Sequence, residues 1–384
     1  MSSRAPTASL IDLIRADIAL PVGSRVAVAM SGGVDSSVVA ALLVEAGYEV
    51  IGLTARLYDV DPTEVVRAGS CCAPEDARDA RGVAADLGIR HYVLDERAVF
   101  ERDVMQPFLA DWREGRTPNP CVACNRSLKF DRLVGRARML GAEALATGHY
   151  AQLDRDDDGH ARLRRGRDRG KDQAYFLYPL QADVAGYLRF PLGAMTKTEV
   201  RDHGDRLGLC VADKPESMDI CFVGAKKPAE WVAANGGAPS GALVDLAGTR
   251  LGQHSNLARF TVGQRRGLGL PGGGEPHYVV DKSADGTVVL GHHEDLLVAR
   301  LTLEGYNSVT GSVPATGARV GLQVRHRGRP VEAEVVGSGA DGLVLRLCAA
   351  LDGAARGQAG VLFDADRVLG GGTIQQVTRA SERT

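Results

Sequence analysis

Long apolar runs are missing from this sequence: none reaches the roughly 18 residues that a membrane-spanning helix needs, so we expect no such helix. Net charge of one sign is missing too, because 46 Lys and Arg face 48 Asp and Glu. That balance argues against a protein coated with basic residues but allows a local basic groove. A secretion signal is also lacking, since Asp12, Arg15 and Asp17 interrupt the apolar positions of the N-terminal segment. The segment predicts a short amphipathic helix instead.

Cysteine and aromatic usage narrow the functional class further. Without a secretion signal, the seven cysteines indicate a reducing, cytoplasmic compartment. There they are reactive, metal-bound or buried more often than paired. Aromatic residues make up only 5% of the chain, which leaves few rings for stacking on bases. Recognition of a nucleic acid should therefore rest on shape and on contacts to its backbone.

The first half of the chain alternates strand and helix patterns, which predicts an α/β domain with a doubly wound parallel sheet. At 384 residues, the chain has room for two or three domains. The predicted strands are Arg25–Met30, Glu49–Leu57, His91–Asp95 and Glu143–Thr147, and the predicted helices are Val34–Gly47, Pro74–Leu87, Phe100–Arg113 and Ser127–Leu140.

The pattern changes after Thr147. Thr196 and Glu199 form a capping box that opens a predicted helix ending at Gly208. From about Leu243 onward, short strands separated by glycines predict a small all-β module, a barrel. These strands are Arg259–Val262, Tyr278–Asp281, Val288–Gly291, Arg319–Arg325, Val331–Val336, Leu343–Cys348 and Gly360–Phe363. We expect an N-terminal extension (1–24), an α/β domain (25–217), a small central domain (218–292) and a C-terminal barrel (293–384).

A glycine- and serine-rich loop, Ser31–Ser37 (SGGVDSS), follows the first strand and opens a helix. Glycines let backbone N–H groups approach phosphate oxygens, and the helix N-terminus adds partial positive charge. Asp35 suits such a loop if it helps hold Mg²⁺ or orients the loop. The loop has no Gly-Lys-Ser/Thr ending, so it is not a Walker A loop. It predicts a phosphate site, the alternative being a glycine-rich turn without a ligand.

Two cysteines lie in distinctive segments. Cys124 ends the segment TPNPCVAC, whose prolines predict a stiff, extended approach to a helix beginning near Arg126. A helix N-terminus together with the nearby Arg126 and Lys129 would stabilise the reactive thiolate. Cys221 lies about a hundred residues further on. Three interpretations stay open: buried thiols, a metal site built on Cys121-x-x-Cys124 with Cys71-Cys72 or Cys221, and sulfur transfer through a persulfide.

Several separated segments, taken in order, resemble the tRNA-specific 2-thiouridylase family of PP-loop ATP pyrophosphatases. The resemblance runs from about Arg25 to Val377. It is carried by Ser31–Ser37, Thr117–Asn125 with Lys129-Phe130, Ala146–Tyr150, Lys171–Leu177, Ile220–Gly224, Thr261–Gly269 and Val368–Gly372.

The resemblance implies a tRNA-uridine 2-sulfurtransferase that uses ATP and Mg²⁺ to adenylate O2 of the wobble uridine and then delivers sulfur from a cysteine persulfide. Cys124 would be the nucleophile and Cys221 the persulfide carrier, and a Cys124–Cys221 disulfide would form on one of two routes. The implied partners are the tRNA anticodon loop and a cysteine desulfurase or sulfur-carrier protein. The implied ATP residues are Ala29, Met30, Ser31, Gly32, Gly33, Val34, Asp35, Ser36, Ala55 and Gly148; the base residues are Asn119, Pro120 and Cys121; the tRNA residues are His149, Lys171, Asp172, Gln173, Arg325, His326 and Gln358.

One departure from the family pattern opens an alternative. The position three residues before Cys124 is often Asp in the family, whereas this chain has Cys121. Cys121, Cys124 and Cys221 could together ligate a [4Fe–4S] cluster with one open iron. The pair Cys71-Cys72 resembles a variant found in some relatives. We interpret these two cysteines by default as buried structural residues.

Three basic runs, Arg162–Lys171, Gln264–Gly267 and Arg325–Arg329, stand out in a chain of net charge −2. A single run of this kind is usually a solvated face, but three of them favour a groove that follows a phosphate backbone. Two other functions remain as alternatives: a PP-loop ligase that acts on a small metabolite, and a non-catalytic protein that binds nucleotide and tRNA.

Overall fold

A computed structural model describes residues 9–59, 74–155, 161–215, 220–224, 226–270, 275–339 and 342–382. Cys71, Cys72 and the stretch 217–219 lie outside the described residues. The chain forms two compact units, each built from separate stretches of sequence. The first unit comprises Met1–Phe100, Arg126–Ala174 and Gln181–Gly224, and the second comprises Glu101–Asn125, Tyr175–Leu180 and Ala225–Thr384.

The helices and strands are numbered along the chain. The α-helices are α1 Leu10–Ile18, α2 Val34–Glu45, α3 Pro74–Asp86, α4 Arg97–Phe100, α5 Gln106–Arg113, α6 Pro120–Cys124, α7 Val134–Met139, α8 Ala182–Ala185, α9 Lys197–Arg206 and α10 Pro228–Ala234. The strands are β1 Arg25–Ala29, β2 Glu49–Arg56, β3 Arg90–Asp95, β4 Ala144–Thr147, β5 Ala151–Arg155, β6 Ala161–Arg165, β7 Leu188–Arg189, β8 Gly241–Val244, β9 Arg250–His254, β10 Tyr278–Lys282, β11 Val288–Gly291, β12 Val298–Ser308, β13 Arg319–Gln323, β14 Val331–Gly339, β15 Gly342–Leu347, β16 Ala359–Asp364 and β17 Arg367–Arg379.

The first unit is organised by a five-stranded sheet in the order β3-β2-β1-β4-β7, and every pairing in it is parallel. The predicted parallel sheet is therefore confirmed. After Arg25 at its start, the central strand β1 is apolar because both of its faces are covered, and Val26 and Val28 are fully buried. Helix α2 is buried along most of its length and packs in the same core.

The N-terminal helix α1 is amphipathic, as the sequence predicts. Ser9 and Asp12 form a capping box at its start, and Ile14 and Ile18 enter the core of the first unit. None of the helices in the described ranges has the length and apolar character that a bilayer crossing requires.

The second unit holds two β modules. A four-stranded sheet, ordered β10-β11-β8-β9, surrounds a small core that includes Leu243, Phe260 and Leu290. The six strands β12-β15-β14-β13-β16-β17 are paired antiparallel, and β17 pairs back onto β12, which closes a barrel. The predicted C-terminal barrel is therefore confirmed.

Three element predictions need correction. The predicted strand at Arg259–Val262 is absent, because Asn256 caps a 3₁₀ turn at Leu257–Arg259 by accepting from the backbone N–H of Ala258 at 2.9 Å. The helix predicted from Phe100 begins at Arg97 and widens into a π-helical segment at Glu101–Met105.

The helix predicted to begin near Arg126 begins at Pro120 instead. Proline is well suited to the first helical position, where its missing N–H has no helical partner in any case. The turns widen into a second π-helical segment, Asn125–Leu133, before α7. Cys124 is therefore the last residue of α6, and Cys121 lies in its first turn.

Candidate active site

The phosphate-binding candidate, residues Met30–Ser37, leaves the central strand of the sheet at the point where the strand order reverses. Strands β2 and β4 pair with opposite edges of β1, so the loop after β1 opens into the crevice where parallel sheets bind their ligands. Gly32 has φ +72°, and a Cβ there would lie 2.1 Å from the carbonyl oxygen of Asp76. Only glycine fits that position, because both the backbone conformation and the space exclude a side chain.

Hydrogen bonds within the loop hold it in one conformation. The backbone N–H of Ser31 donates to Ser36 Oγ at 3.1 Å, and Ser37 Oγ donates to the carbonyl of Gly33 at 2.9 Å. Gly33 caps α2 without a side chain that could accept from the first-turn N–H groups. These N–H groups and the helix dipole therefore remain available to an anion, as a phosphate site requires.

Asp35 is fixed by two donors. Tyr150 donates its hydroxyl to Oδ1 at 2.8 Å, and Lys197 Nζ lies 2.7 Å from the same oxygen. Lys197 is the first residue of α9, where the Thr196–Glu199 capping box sets its position. Both contacts engage Oδ1, so Oδ2 remains available as an oxygen ligand for a cation. A carboxylate oxygen next to a phosphate site is the ligand type that Mg²⁺ takes, so this residue fits the ion that the sequence implies.

Gly148 and Ala55 lie at the ends of the strands flanking β1. A Cβ on Gly148 would lie 3.0 Å from the backbone nitrogen of Ser36, so glycine allows the end of β4 to approach the start of α2 closely. Ala55 is half-buried near the end of β2. The first unit therefore brings the predicted ATP residues Ala29–Ser36 together with Gly148, and Ala55 lies at the end of the neighbouring strand.

His149, predicted to contact tRNA, is buried beside a lysine. Its Nδ1 lies 2.7 Å from Thr147 Oγ1, and its Nε2 lies 3.1 Å from Lys129 Nζ. Burial lowers the pKa of His149 well below its ordinary value, and the Lys129 charge adds to this. The ring is therefore neutral, with Nε2 accepting from the Lys129 ammonium and Nδ1–H donating to Thr147. Lys129, expected from the sequence to stabilise the Cys124 thiolate, lies on the π-helical segment and bonds His149.

Asp172 and Gln173, also predicted to contact tRNA, are bonded to the chain around Tyr150. Asp172 is 8% exposed; it accepts from Arg165 Nη1 at 2.7 Å and from the backbone N–H of Gly166 at 2.9 Å. Gln173 exchanges hydrogen bonds with the backbone of Tyr150, each at 3.0 Å. Lys171 is half-buried beside them. This segment supports the loop that carries Tyr150, the partner of Asp35.

Cys221 lies in the first unit and opens a 3₁₀ turn, Cys221–Val223. Its carbonyl accepts from the Tyr58 hydroxyl at 2.9 Å, and the neighbouring Phe222 ring packs edge-on against Phe100 with centroids 5.6 Å apart. The thiol-bearing residue is half-buried. Its backbone is therefore anchored close to the C-terminal end of β2.

The segment that carries Cys124 lies in the second unit. Cys121 is exposed and Cys124 is half-buried. Asn125 donates its side-chain amide to the carbonyl of Phe176 at 3.0 Å, which ties the end of α6 to the Lys171–Leu177 motif. Because the helix begins at Pro120, its N-terminal dipole acts mainly on the first turn, which contains Cys121. The expectation that Cys124 lies at a helix N-terminus is wrong.

A clamp of distant residues holds the chain just before Cys121. The backbone N–H of Thr117 donates to the carbonyl of Arg356 at 2.7 Å. Gln358 donates its side-chain amide to the carbonyls of Thr117 and Pro118, at 3.2 and 3.1 Å. Lys282 Nζ lies 3.3 Å from Thr117 Oγ1. Gln358, predicted to contact tRNA, thus holds the backbone that leads to the predicted base-binding residues.

Contacts made by Tyr175 and His326 extend the clamp. The Tyr175 hydroxyl donates to the carbonyl of Ala359 at 2.9 Å and also bonds the Asn119 side chain; burial raises the pKa of Tyr175. His326 stacks on Tyr175 and Phe176, with ring centroids 6.3 and 4.5 Å apart. His326 and Arg325 are exposed on the wall of a cavity of about 470 Å³ that Arg327 and Arg329 also line.

The basic run at Arg162–Lys171 is largely neutralised. Arg162 and Arg164 both pair with Asp154 across the β5–β6 hairpin, Arg165 pairs with Asp172, and Arg167 pairs with Glu199. The sequence predicts that this run faces a phosphate backbone. Four of its six basic side chains instead have carboxylate partners, so the exposed Arg325–Arg329 run is the better candidate for that contact.

Three family models match consecutive parts of the chain. Residues 24–225 match a tRNA methyl transferase HUP domain, residues 229–293 a tRNA methyl transferase PRC-barrel domain, and residues 298–374 an aminomethyltransferase beta-barrel domain. Among curated proteins, the tRNA-specific 2-thiouridylase MnmA of Rhodospirillum rubrum is 47% identical over 92% of this chain and 97% of its own length. The protein of the same name from Caulobacter vibrioides is 45% identical over 95% of this chain and 98% of its own length.

This chain belongs to the tRNA-specific 2-thiouridylase family. The expected family is therefore confirmed. Cys121, the departure from the family pattern, is exposed on the first turn of α6. Within the described ranges, which include Cys121, Cys124 and Cys221, no group of three or more His, Cys, Asp or Glu side chains is placed to hold a metal ion. The iron–sulfur alternative built on these three cysteines therefore has no support.

Sequence reasoning missed the contacts that four residues make in the two candidate sites. Lys197 bonds Asp35 and Lys129 bonds His149 in the first unit. Lys282 and Arg356 bond the Thr117 segment in the second. Lys129 was within reach of sequence reasoning, because it lies in a family motif. The others lie far along the chain from their partners and carry no local signal.

Proposed function

We propose that this protein catalyses ATP-dependent 2-thiolation of the wobble uridine of tRNA, by adenylation of the uridine O2 and sulfur transfer from a cysteine persulfide on Cys221. Family membership supports the substrate and the product. The observation that carries the adenylation step is the phosphate loop at the switch point of the sheet, with Asp35 fixed by Tyr150 and Lys197.

The adenylation step converts a poor leaving group into a good one. The uridine O2 attacks the α-phosphorus of ATP and pyrophosphate leaves, so the carbon C2 then carries AMP as its leaving group. Backbone N–H groups at the start of α2 bind the phosphates, and Asp35, whose Oδ1 is engaged by Tyr150 and Lys197, offers Oδ2 to Mg²⁺. Mg²⁺, when bound, would screen the negative charge of the phosphates.

The target base must leave the anticodon stack to be adenylated, and a single-stranded loop allows this at low cost. Asn119, Pro120 and Cys121 receive it on a segment already fixed by Gln358 and Tyr175. Such a pre-ordered segment lowers the entropy lost when the base binds. Lys129, held by the neutral His149, supplies a positive charge beside Gly148 for a tRNA phosphate.

Sulfur transfer then follows one of two balanced routes. In the first, the terminal sulfur of Cys221–S–S⁻ attacks C2 and expels AMP, and the Cys124 thiolate attacks the Cys221 sulfur of the adduct. In the second, Cys124 attacks the Cys221 sulfur of the persulfide first and releases hydrosulfide, which displaces AMP from C2. Both routes yield 2-thiouridine. The resemblance implies a Cys124–Cys221 disulfide only on the hydrosulfide route, but the balance of the sulfur–sulfur bonds requires it on the direct route as well. A thiol reductant must then reopen the disulfide, and a cysteine desulfurase or sulfur-carrier protein must reload Cys221.

The test is an anaerobic assay of 2-thiouridine formation with Cys124→Ala and Cys221→Ala. Both variants should lose the product while still releasing pyrophosphate from ATP in the presence of tRNA. Cys210→Ala and Cys348→Ala are the matched controls, because both residues are exposed free thiols, and both should keep full activity. Full thiolation by Cys124→Ala or Cys221→Ala would refute the sulfur-transfer mechanism, and a stoichiometric iron content would refute the persulfide route.

A further inference from the structure

Lys214 meets three oxygens at the phosphate loop. Its Nζ lies 3.0 Å from the carbonyl oxygen of Gly32 and 2.6 Å from Asp76 Oδ1, and it also pairs with Asp79. The Lys214 and Asp76 side chains are 19% and 6% exposed. Burial lowers the pKa of Lys214, but the ion pairs with the two carboxylates outweigh it and raise the pKa above its ordinary value. Lys214 is therefore a permanent cation within the first unit.

The bond to Gly32 fixes the direction of one peptide group. In a trans peptide the C=O and the following N–H point in opposite directions. With the Gly32 carbonyl held by Lys214, the N–H of Gly33 points away from Lys214. Gly33 is the N-cap of α2, so its N–H belongs to the group of donors that an anion at this helix N-terminus would use.

The same peptide is confined on its other side. Gly32 lies against the backbone of Asp76 so closely that a Cβ would be 2.1 Å from the Asp76 carbonyl oxygen. Lys214 in turn is held by α9, because Arg201 donates to the carbonyls of Ala212 and Lys214 at 2.7 and 3.4 Å. Helix α9 thus orders Lys214 as well as Lys197, the partner of Asp35.

We propose that Lys214 is a positioning residue for ATP binding: by holding the Gly32 carbonyl, it aims the Gly33 N–H at the triphosphate. The inference rests on the proposed use of ATP at this loop. It assigns the effect of Lys214 to the phosphates alone, since the adenine would lie toward Ala55 and Gly148 at the ends of the flanking strands.

The experiment is calorimetric titration of the full-length protein with ATP and, separately, with adenosine. Lys214→Met should weaken ATP binding about ten-fold, the loss expected from one misdirected donor to a charged group, and should change adenosine binding less than two-fold. Lys214→Arg keeps a charged donor, so it should recover at least a third of the ATP affinity that Lys214→Met loses, counted on a logarithmic scale. Lys226→Met removes one exposed lysine and should leave both affinities unchanged.

Unchanged ATP affinity in Lys214→Met would overturn the inference, and so would a parallel loss of ATP and adenosine, which indicates a general structural role. If Lys214→Met does not fold by circular dichroism, Lys214→Gln decides: an ATP affinity lowered at least three-fold with unchanged adenosine affinity supports the inference, and an ATP affinity equal to that of the wild type overturns it. If the wild-type protein binds no ATP, the proposed function fails as well, which distinguishes the two failures.

Discussion

Lys282 should make the stability of the second unit depend on pH. Its side chain is 2% exposed, with Nζ 3.3 Å from Thr117 Oγ1, 3.4 Å from the carbonyl of Arg116 and 4.4 Å from the centre of the Trp112 ring. Burial lowers the pKa of Lys282 to about 7; the nearby Asp281 opposes this shift and Arg356 reinforces it.

The sign of the effect follows from the proton balance. The unfolded chain keeps Lys282 protonated up to its ordinary pKa of 10.5, whereas the folded protein releases the proton near pH 7. Between these values the unfolded state binds more protons, so the free energy of unfolding rises with pH by about 1.4 kcal/mol per pH unit. The cost of burying the charge is full below pH 7, roughly 4–5 kcal/mol, and vanishes above pH 10.5.

The assay is urea unfolding of the wild-type protein and Lys282→Met at pH 7, 8, 9 and 10. Tryptophan fluorescence reports on the second unit, because both tryptophans of the chain, Trp112 and Trp231, belong to it. The free energy of unfolding of the wild type, minus that of Lys282→Met, should rise with pH across this range. Lys226→Met, at an exposed lysine, should follow the wild type. Parallel profiles for the wild type and Lys282→Met would refute the reasoning.

Three further predictions concern single side chains of the first unit. Gly32→Ala should abolish ATP binding in a titration, because the new methyl group would overlap the Asp76 carbonyl; a folded variant with normal affinity would contradict the close packing. Asp17→Asn should raise the free energy of unfolding above pH 6 by about 3 kcal/mol, because burial raises the pKa of Asp17 from 3.8 to about 6 and Oδ2 has no hydrogen-bond partner in the described part of the chain. The carboxylate costs stability once it ionises, so the gain should disappear below pH 4. A gain that is independent of pH would count against this. Arg165→Ala should lower the melting temperature by removing the guanidinium that pairs with the buried Asp172 carboxylate, at a cost of about 3 kcal/mol. A variant that melts normally but binds tRNA weakly would instead support the predicted contact of Asp172 and its neighbours with tRNA.

The order of elements at the phosphate loop could be predicted because it is encoded locally. A strand, a glycine turn and a helix start follow one another within residues 25–37. The residues that determine the start of α6 are equally close in sequence, yet the two prolines suggest an extended segment before the helix. Pro120 at the first helical position was the signal for a helix.

The supporting residues could not be predicted, because each depends on a contact between distant parts of the chain. Gln358 is 241 residues from Thr117 in sequence, and Lys214 is 182 residues from Gly32. Neither spacing nor composition marks such pairs. The ion pairs of the basic run were missed for a related reason: Arg164 meets Asp154 only once β5 and β6 form a hairpin.

The discontinuity of the second unit has a consequence for synthesis. Residues 101–125 leave the ribosome early, but their contact partners are synthesised much later. Phe108 packs on Trp231, Trp112 packs on Lys282, and Thr117 bonds Arg356 and Gln358. At a synthesis rate of about 5–20 residues per second, roughly 10 to 30 s pass between the synthesis of this segment and that of Lys282. During that interval the nascent chain exposes Phe108, Leu109 and Trp112, the apolar side chains of α5 that the folded unit buries, so this stage of synthesis favours aggregation unless a chaperone covers them.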